Sequence, residues 1–132
     1  MSRESVKGQR FERLVADYLR DRLGDPAIDI RPKNGRFDRG DVGGVKTIRG
    51  ARVCIEVKNH SRDNLPLWMR EVEIEKGNDD APIGVVVHKR HRSGKPEEQY
   101  VTCDLATFAL LLEGGPDDRP VVILDPMTRG AA

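Results

Sequence analysis

Apolar residues recur at helical spacing from Phe11 through Leu14, Val15, Tyr18 and Leu19 to Leu23, which predicts an amphipathic helix over residues 5–23 that Gly24 stops. At about 100° per residue, Glu12 projects between Leu19 and Leu23, inside the apolar arc, whereas Asp17 and Asp21 fall outside it. A carboxylate aimed at the core side is costly without a partner. Glu12 is therefore either a snorkelling edge residue or one half of an ion pair, or it serves a site. A short strand is expected over residues 27–31, then a loop rich in glycine and basic residues over 31–40. Residues 41–45 read as a strand and 46–50 as a turn. Residues 51–58 alternate, with Ala51, Val53, Ile55 and Val57 on one face and Arg52, Cys54, Glu56 and Lys58 on the other, taken as the exposed one. The two strands read as a hairpin.

Asn64-Leu65-Pro66 is a helix start, with proline in the first turn, and Leu65, Trp68, Met69 and Val72 keep helical spacing until Gly77-Asn78. The run 82–88, with Val85, Val86 and Val87, suits a central strand covered on both faces. The basic segment Lys89-Arg90-His91-Arg92-Ser93-Gly94-Lys95 reads as a flexible loop. A strand over 100–103, a helix capped by Asp104 and ended by Gly114, and a last strand over 121–124 complete the chain. The order α-β-β-β-α-β-β-α, with a small mixed sheet, predicts an α/β sandwich. Trp68 and Met69 are assigned to core packing, with a dimer interface as a second use.

The 132 residues amount to one domain, with a core over about 5–112 and an extension over 113–132. Hydrophobic residues make up 37% and charged residues 34%, the balance of a soluble globular chain rather than a disordered one. No apolar run is long enough to cross a bilayer, and the N-terminus carries no signal-peptide core, so a cytoplasmic protein is expected (host cytoplasm if phage-encoded). Cys54 and Cys103 lack CxxC spacing and read as ordinary buried thiols. The net charge of +1 conceals an asymmetry, because residues 1–70 carry +6 and the remainder −5. A basic half can meet a polyanion, although chance partition of surface charge gives the same totals.

The candidate chemistry is Asp41, Glu56 and Lys58. Glu56 and Lys58 stand two apart on one strand and point the same way. If the hairpin turns about Ile48 and Arg49, facing residue numbers sum to about 97, which sets Asp41 opposite Glu56 and within reach of a shared ion. Mg²⁺ prefers octahedral oxygen coordination and is usually held by one or two carboxylates plus substrate phosphate. Such an ion polarises a scissile phosphate and acidifies a bound water, while a nearby lysine orients or deprotonates that water and offsets developing charge. The acid-x-Lys triplet alone is no more than composition supplies by chance. Its place at the end of an alternating strand, with an acid opening the preceding one, separates it from a plain surface ion pair.

The segments Ser5-Val6-Lys7-Gly8-Gln9-Arg10-Phe11-Glu12-Arg13, Gly40-Asp41-Val42 and Ile55-Glu56-Val57-Lys58-Asn59 resemble the PD-(D/E)xK nuclease superfamily. Within it, the chain is most similar to the small archaeal- and phage-type Holliday junction resolvases, with their Lys-Gly…Glu-Arg helix and Glu-Val-Lys strand. The likeness spans roughly residues 6–103 and implies a restriction-endonuclease-like α-β-β-β-α-β core flanked by helices. It implies Mg²⁺ (Mn²⁺ substituting) on Asp41, Glu56 and the backbone carbonyl of Val57, with Lys58 handling the attacking water and Glu12 completing the acidic cluster. Gly40 stands where the motif has proline, which leaves Asp38 as an alternative claimant to the role of Asp41. Lys33, Arg36 and Arg39 before Asp41, and Lys89, Arg90, Arg92 and Lys95 after the central strand, suit phosphate contact without base reading, or are ordinary solvated loops. His60, His88 and His91 form no ligand set at recognisable spacing. The expected function is a Mg²⁺-dependent DNA endonuclease, a homodimeric resolvase of branched DNA with no small-molecule cofactor. The alternatives are a repair or restriction-type nuclease on linear or single-stranded DNA, and a catalytically silent DNA-binding module of the same fold.

Overall fold

In the computed structural model, which describes residues 3–33 and 37–117, the chain runs α1 (Arg3–Leu23), β1 (Asp29–Ile30), β2 (Val42–Gly43), β3 (Val53–Lys58), α2 (Leu65–Asn78), β4 (Ile83–His88), β5 (Tyr100–Thr102) and α3 (Leu105–Glu113). The architecture is α/β, three helices on an open five-stranded mixed sheet ordered β1-β2-β3-β4-β5. The strand expected over 121–124 lies outside the described residues. Among those described, no helix is long and apolar enough to cross a membrane.

Only β3 and β4 run parallel, joined by the crossover helix α2, while every other neighbouring pair is antiparallel. That central pair is covered on both sides. Phe11, Val15 and Ala16 of α1 pack on Val53, Ile55 and Val57 of β3 and on Ile83, Val85 and Val87 of β4. Trp68 and Val72 of α2 close the opposite face over Cys54 and Val86. The face of β3 bearing Cys54, Glu56 and Lys58 is therefore not exposed, contrary to its alternating pattern. A helix that follows directly from a strand and returns to a parallel partner must lie across the sheet, so the polar side chains beneath it become interior groups. Leu23 is a second departure: it ends the apolar stripe of α1 but stands exposed.

Val42 pairs with Ile55, the register in which facing numbers sum to 97. Nearer the turn, Lys46 bridges Arg52, so residues 43–45 on one strand face only 53 and 54 on the other. The extra residue is a bulge at Gly44, whose φ of +83° and close approach to the Ala27 carbonyl oxygen exclude a side chain. This bulge ends β2 after two residues and leaves Asp41 directed at the C-terminal half of β3.

Candidate active site

Asp41 immediately precedes β2 and is 5% exposed. Its N–H donates to the Ile55 carbonyl at 2.8 Å, and its carboxylate accepts the Val57 N–H at 2.7 Å. The same carboxylate meets Glu56, also 5% exposed, whose side chain hydrogen-bonds to both Asp41 and Glu75. Three adjoining carboxyl groups can make such contacts only with a proton between them or a cation among them. Burial, and then the neighbouring Asp41 and Glu75, push Glu56 far above the ordinary carboxylate range. Burial would raise Asp41 too, but hydrogen bonds from Glu56, Lys33 and the Val57 amide outweigh it and hold Asp41 low. Glu56 is thus the proton carrier of the pair, and Asp41 the charged partner.

Glu12 and Lys33 complete this side. The Lys33 ammonium donates to Glu12 Oε1 at 2.9 Å and to Asp41 Oδ1 at 2.5 Å. The position of Glu12 within the apolar arc of α1 has its reason here: the helix carries a carboxylate to the cluster, and a lysine from the following loop neutralises it. Burial raises the Glu12 carboxyl, helped by the charge of Asp41 and opposed by Lys33. Lys33 is expected from its basic loop to meet phosphate. Its head group is instead committed to two carboxylates, occupying the kind of position a metal cation takes.

Lys58 closes the other side. Its ammonium donates to Glu71 of α2 at 2.5 Å and stands 3.9 Å from Glu56 Oε2. Burial works against its charge, but the hydrogen bond to Glu71 and the charge of Glu56 raise its pKa above the usual lysine value. The resting side chain is an ammonium. Asp38 and Glu75 finish the cluster: one ligand oxygen each from Asp38, Glu56 and Glu75 lie within 4.8 Å of one another. The pattern of α2 carries a signal for Glu75, which follows Trp68 and Val72 at i+7 and i+3 on the buried stripe, the same anomaly as Glu12.

Gly40 accounts for the missing proline of the motif. Its φ is +92°, and a Cβ there would stand 2.8 Å from the Ile55 carbonyl oxygen and 2.9 Å from Cys54 Sγ. Proline, fixed near a φ of about −65°, cannot adopt this backbone. Restoring the motif by Gly40→Pro is therefore expected to destabilise the protein by about 3 kcal/mol, measured as a lower urea midpoint at unchanged m value. An unchanged midpoint would show that the loop rebuilds without cost.

The expected phosphate contacts fall into two groups. Arg36 lies outside the described residues, and Arg39 is exposed, its carbonyl accepting from Arg31 at 2.7 Å. The second segment is a built loop rather than the flexible one expected. Gln99 accepts from the Arg90 amide at 2.7 Å and donates to the carbonyls of Ser93 and Lys95 at 3.1 and 2.7 Å. Lys89 donates to the Arg90 and Ser93 carbonyls, Arg90 lies over the Tyr100 ring at 5.6 Å, and Arg92 and Lys95 are exposed. The Lys89 amide donates to the Lys58 carbonyl at 3.0 Å, which fixes this loop beside the candidate lysine. Between them and α1 opens a cavity of about 750 Å³ lined by Lys7, Arg10, Phe11, Leu14, Asn59 and Lys89. Lys7 and Arg10 are basic contacts the sequence pattern did not single out.

His88 is buried with Nε2 2.7 Å from Thr102 Oγ1, in a row of rings with Trp68 and Tyr100, and pairs in register with Lys58. His60 stacks on Trp68, and His91 is exposed in the basic loop, so the three histidines share no ligand set. Trp68 is core, as expected, and both cysteines are free thiols. No protein-family model, curated protein or solved structure significantly matches the chain.

Proposed function

We propose that the protein is a Mg²⁺-dependent DNA endonuclease of the PD-(D/E)xK type, with a restriction-endonuclease-like core, acting as a homodimer on branched DNA. The observation that carries this reading is the meeting of Glu12, Asp41 and Glu56, from a helix, a loop and a strand, with Lys58 3.9 Å from Glu56. A donor set of buried carboxylates suits a hard divalent cation, and an ammonium lodged between Glu12 and Asp41 marks positive charge as what this cluster takes. Asp41, Glu56 and the Val57 carbonyl would hold the ion, which supplies a Lewis acid for the scissile phosphate. Lys58, charged at rest, orients the attacking water and offsets charge developing on the phosphate. It becomes a base only if Glu71 and Glu56 release it. Lys7, Arg10 and Lys89 line the cavity beside α1, the Lys89 amide being held by the Lys58 carbonyl, Arg90, Arg92 and Lys95 follow on the loop, and backbone phosphates are the ligands they suit.

One experiment tests the reading directly. Immobile four-way junctions, flaps, linear duplex and single strands are offered together, with Mg²⁺ and then with chelator. Metal-dependent cutting concentrated on the junction is the expected result. Cutting of duplex or single strands instead would retain the nuclease and discard the resolvase, and binding without cutting under any Mg²⁺ or Mn²⁺ concentration would leave a silent module.

A further inference from the structure

β3 and β4 run parallel, and the space beyond the carboxyl ends of parallel strands is where open α/β sheets receive ligands. Asn59 and Lys89 follow those two ends. With α1 they border the cavity of about 750 Å³, inside the span of about 300–1,000 Å³ in which small-ligand sites fall. Its walls are of two kinds. Val6, Phe11 and Leu14 are apolar, whereas Lys7, Arg10 and Lys89 bring three cations. Lys7 and Arg10 are exposed, and among the described residues the ion pairs of α1 are those of Glu12, Arg13, Asp17 and Arg20, which leaves both without an acid. Lys89 is held by the Arg90 and Ser93 carbonyls, which fix its ammonium without cancelling its charge. Asn59 adds a polar group to this lining, and its amide oxygen is buried with no hydrogen-bond partner. Leaving a buried amide unpaired is costly, and an amide's donors and acceptor are the groups that engage the edge of a nucleobase.

We propose that this cavity binds one unpaired nucleotide of the DNA substrate, its base between Val6, Leu14 and the Asn59 amide and its phosphates on Lys7, Arg10 and Lys89. An anionic group joined to a flat apolar body with hydrogen-bonding edges is the ligand that such a mixture of walls fits. The Arg10 guanidinium suits both parts, because a guanidinium stacks on bases as well as pairing with phosphate. A base inside a duplex is stacked on both faces with its pairing edge occupied, so the occupant is a nucleotide outside the helix. Selection for that nucleotide distinguishes branched or bulged DNA from plain duplex without a helix in the major groove. Phe11 and Asn59 adjoin Glu12 and Lys58 in the chain, and the Lys89 amide donates to the Lys58 carbonyl at 3.0 Å, which links the cavity to the proposed cutting site. On that link the inference rests on the nuclease reading, whereas the binding of the nucleotide does not.

The test is run in chelator, so that binding is read without a metal ion. The full chain is titrated into a duplex with one unpaired adenosine, into the same duplex with an abasic bulge, and into unbulged duplex, each followed by the anisotropy of an end label. Binding about tenfold tighter to the base-bearing bulge than to either control is expected. Leu14→Trp, which narrows the recess without altering charge, and Asn59→Leu should each remove most of that preference. Lys7→Ala should instead weaken binding to all three duplexes alike. Equal affinity for the base-bearing and abasic bulges, or a preference that survives both Leu14→Trp and Asn59→Leu, overturns the proposal. Should Leu14→Trp fail to fold, by circular dichroism, Val6→Trp near the start of α1 takes its place. Displacement of the bulged duplex by micromolar deoxyadenosine monophosphate would make a free nucleotide the occupant and overturn the assignment to DNA. Mg²⁺-dependent cutting measured in parallel separates the two readings. Cutting without a base preference removes the nucleotide site and keeps the nuclease, and a base preference without cutting does the reverse.

Discussion

Glu56→Gln is expected to lower metal-dependent cleavage at least about 10²–10³-fold, in kcat rather than KM, while leaving the metal-free fold and DNA binding intact. The separation of the two effects follows from how Glu56 is held. It is 5% exposed between Asp41 and Glu75 and carries a proton when no cation is present. Glutamine has the same shape, and its amide N–H groups can donate to both neighbouring carboxylates, so the interior loses neither volume nor a hydrogen-bond donor. What glutamine cannot supply is an anionic oxygen for the ion. Alanine would be a poorer test, since it opens a cavity and strands Asp41 and Glu75 without a donor, at about 1–3 kcal/mol. Lys58→Met should likewise stop cleavage, with Mn²⁺ still bound, because its ammonium acts on the phosphate and the water rather than on the ion. Near-normal cutting by Glu56→Gln would refute the assignment of this cluster as the catalytic centre.

Much of this site was legible in residue order because hairpins and helices have fixed periods. The turn at residues 46–50 and the alternation of 51–58 set a pairing in which Val42 meets Ile55, and Asp41 then has nowhere to go but beside Glu56. Glu12 was marked by an apolar arc with one acid in it. The partners were not legible, because they depend on tertiary placement. Lys33 lies in a basic loop that pattern alone sends to solvent or phosphate, and only the path of that loop past α1 brings its ammonium to Glu12 and Asp41. The burial of Glu56 was hidden for a similar reason. An alternating strand reads as half-exposed until the crossover helix that follows it is laid over its polar face. Glu75 could have been found by the reasoning applied to Glu12. It escaped because α2 also carries Glu71 and Glu73, and a helix with several acids makes one on the buried stripe easy to pass over.

The same cluster should make the metal-free protein lose stability as pH rises, and metal should remove that dependence. Glu12, Glu56 and Glu75 all have folded pKa values raised, by burial first, above the ordinary 4.5. Above about pH 4.5 the unfolded chain has released protons that the folded chain still holds, so folding is favoured at low pH and weakened as pH increases. Each such excess proton makes folding progressively less favourable as pH rises, and Glu56, raised furthest of the three, contributes the largest share of the loss between pH 5 and pH 8. Groups whose folded pKa is lowered run the other way, Asp41 and His88 among them. Asp41, held low, lends stability that is lost as pH falls below its ordinary 3.8, which bounds the effect on the acid side. His88, buried and lowered by that burial, favours the folded state as pH rises through 6.5. Comparison with Glu56→Gln cancels the His88 contribution, which does not involve Glu56, and that of Asp41 falls below the range of pH 5 to pH 8. Urea unfolding of the two proteins in chelator, from pH 5 to pH 8, should show the wild type losing stability relative to the variant as pH rises. Saturating Mg²⁺ should flatten the wild-type curve, because the ion binds only the ionised carboxylates and replaces the protons that folding otherwise retains. Parallel curves in chelator would mean that Glu56 is ionised in the folded protein without metal, and that Asp41 and Glu75 are kept apart from its charge by something other than a shared proton.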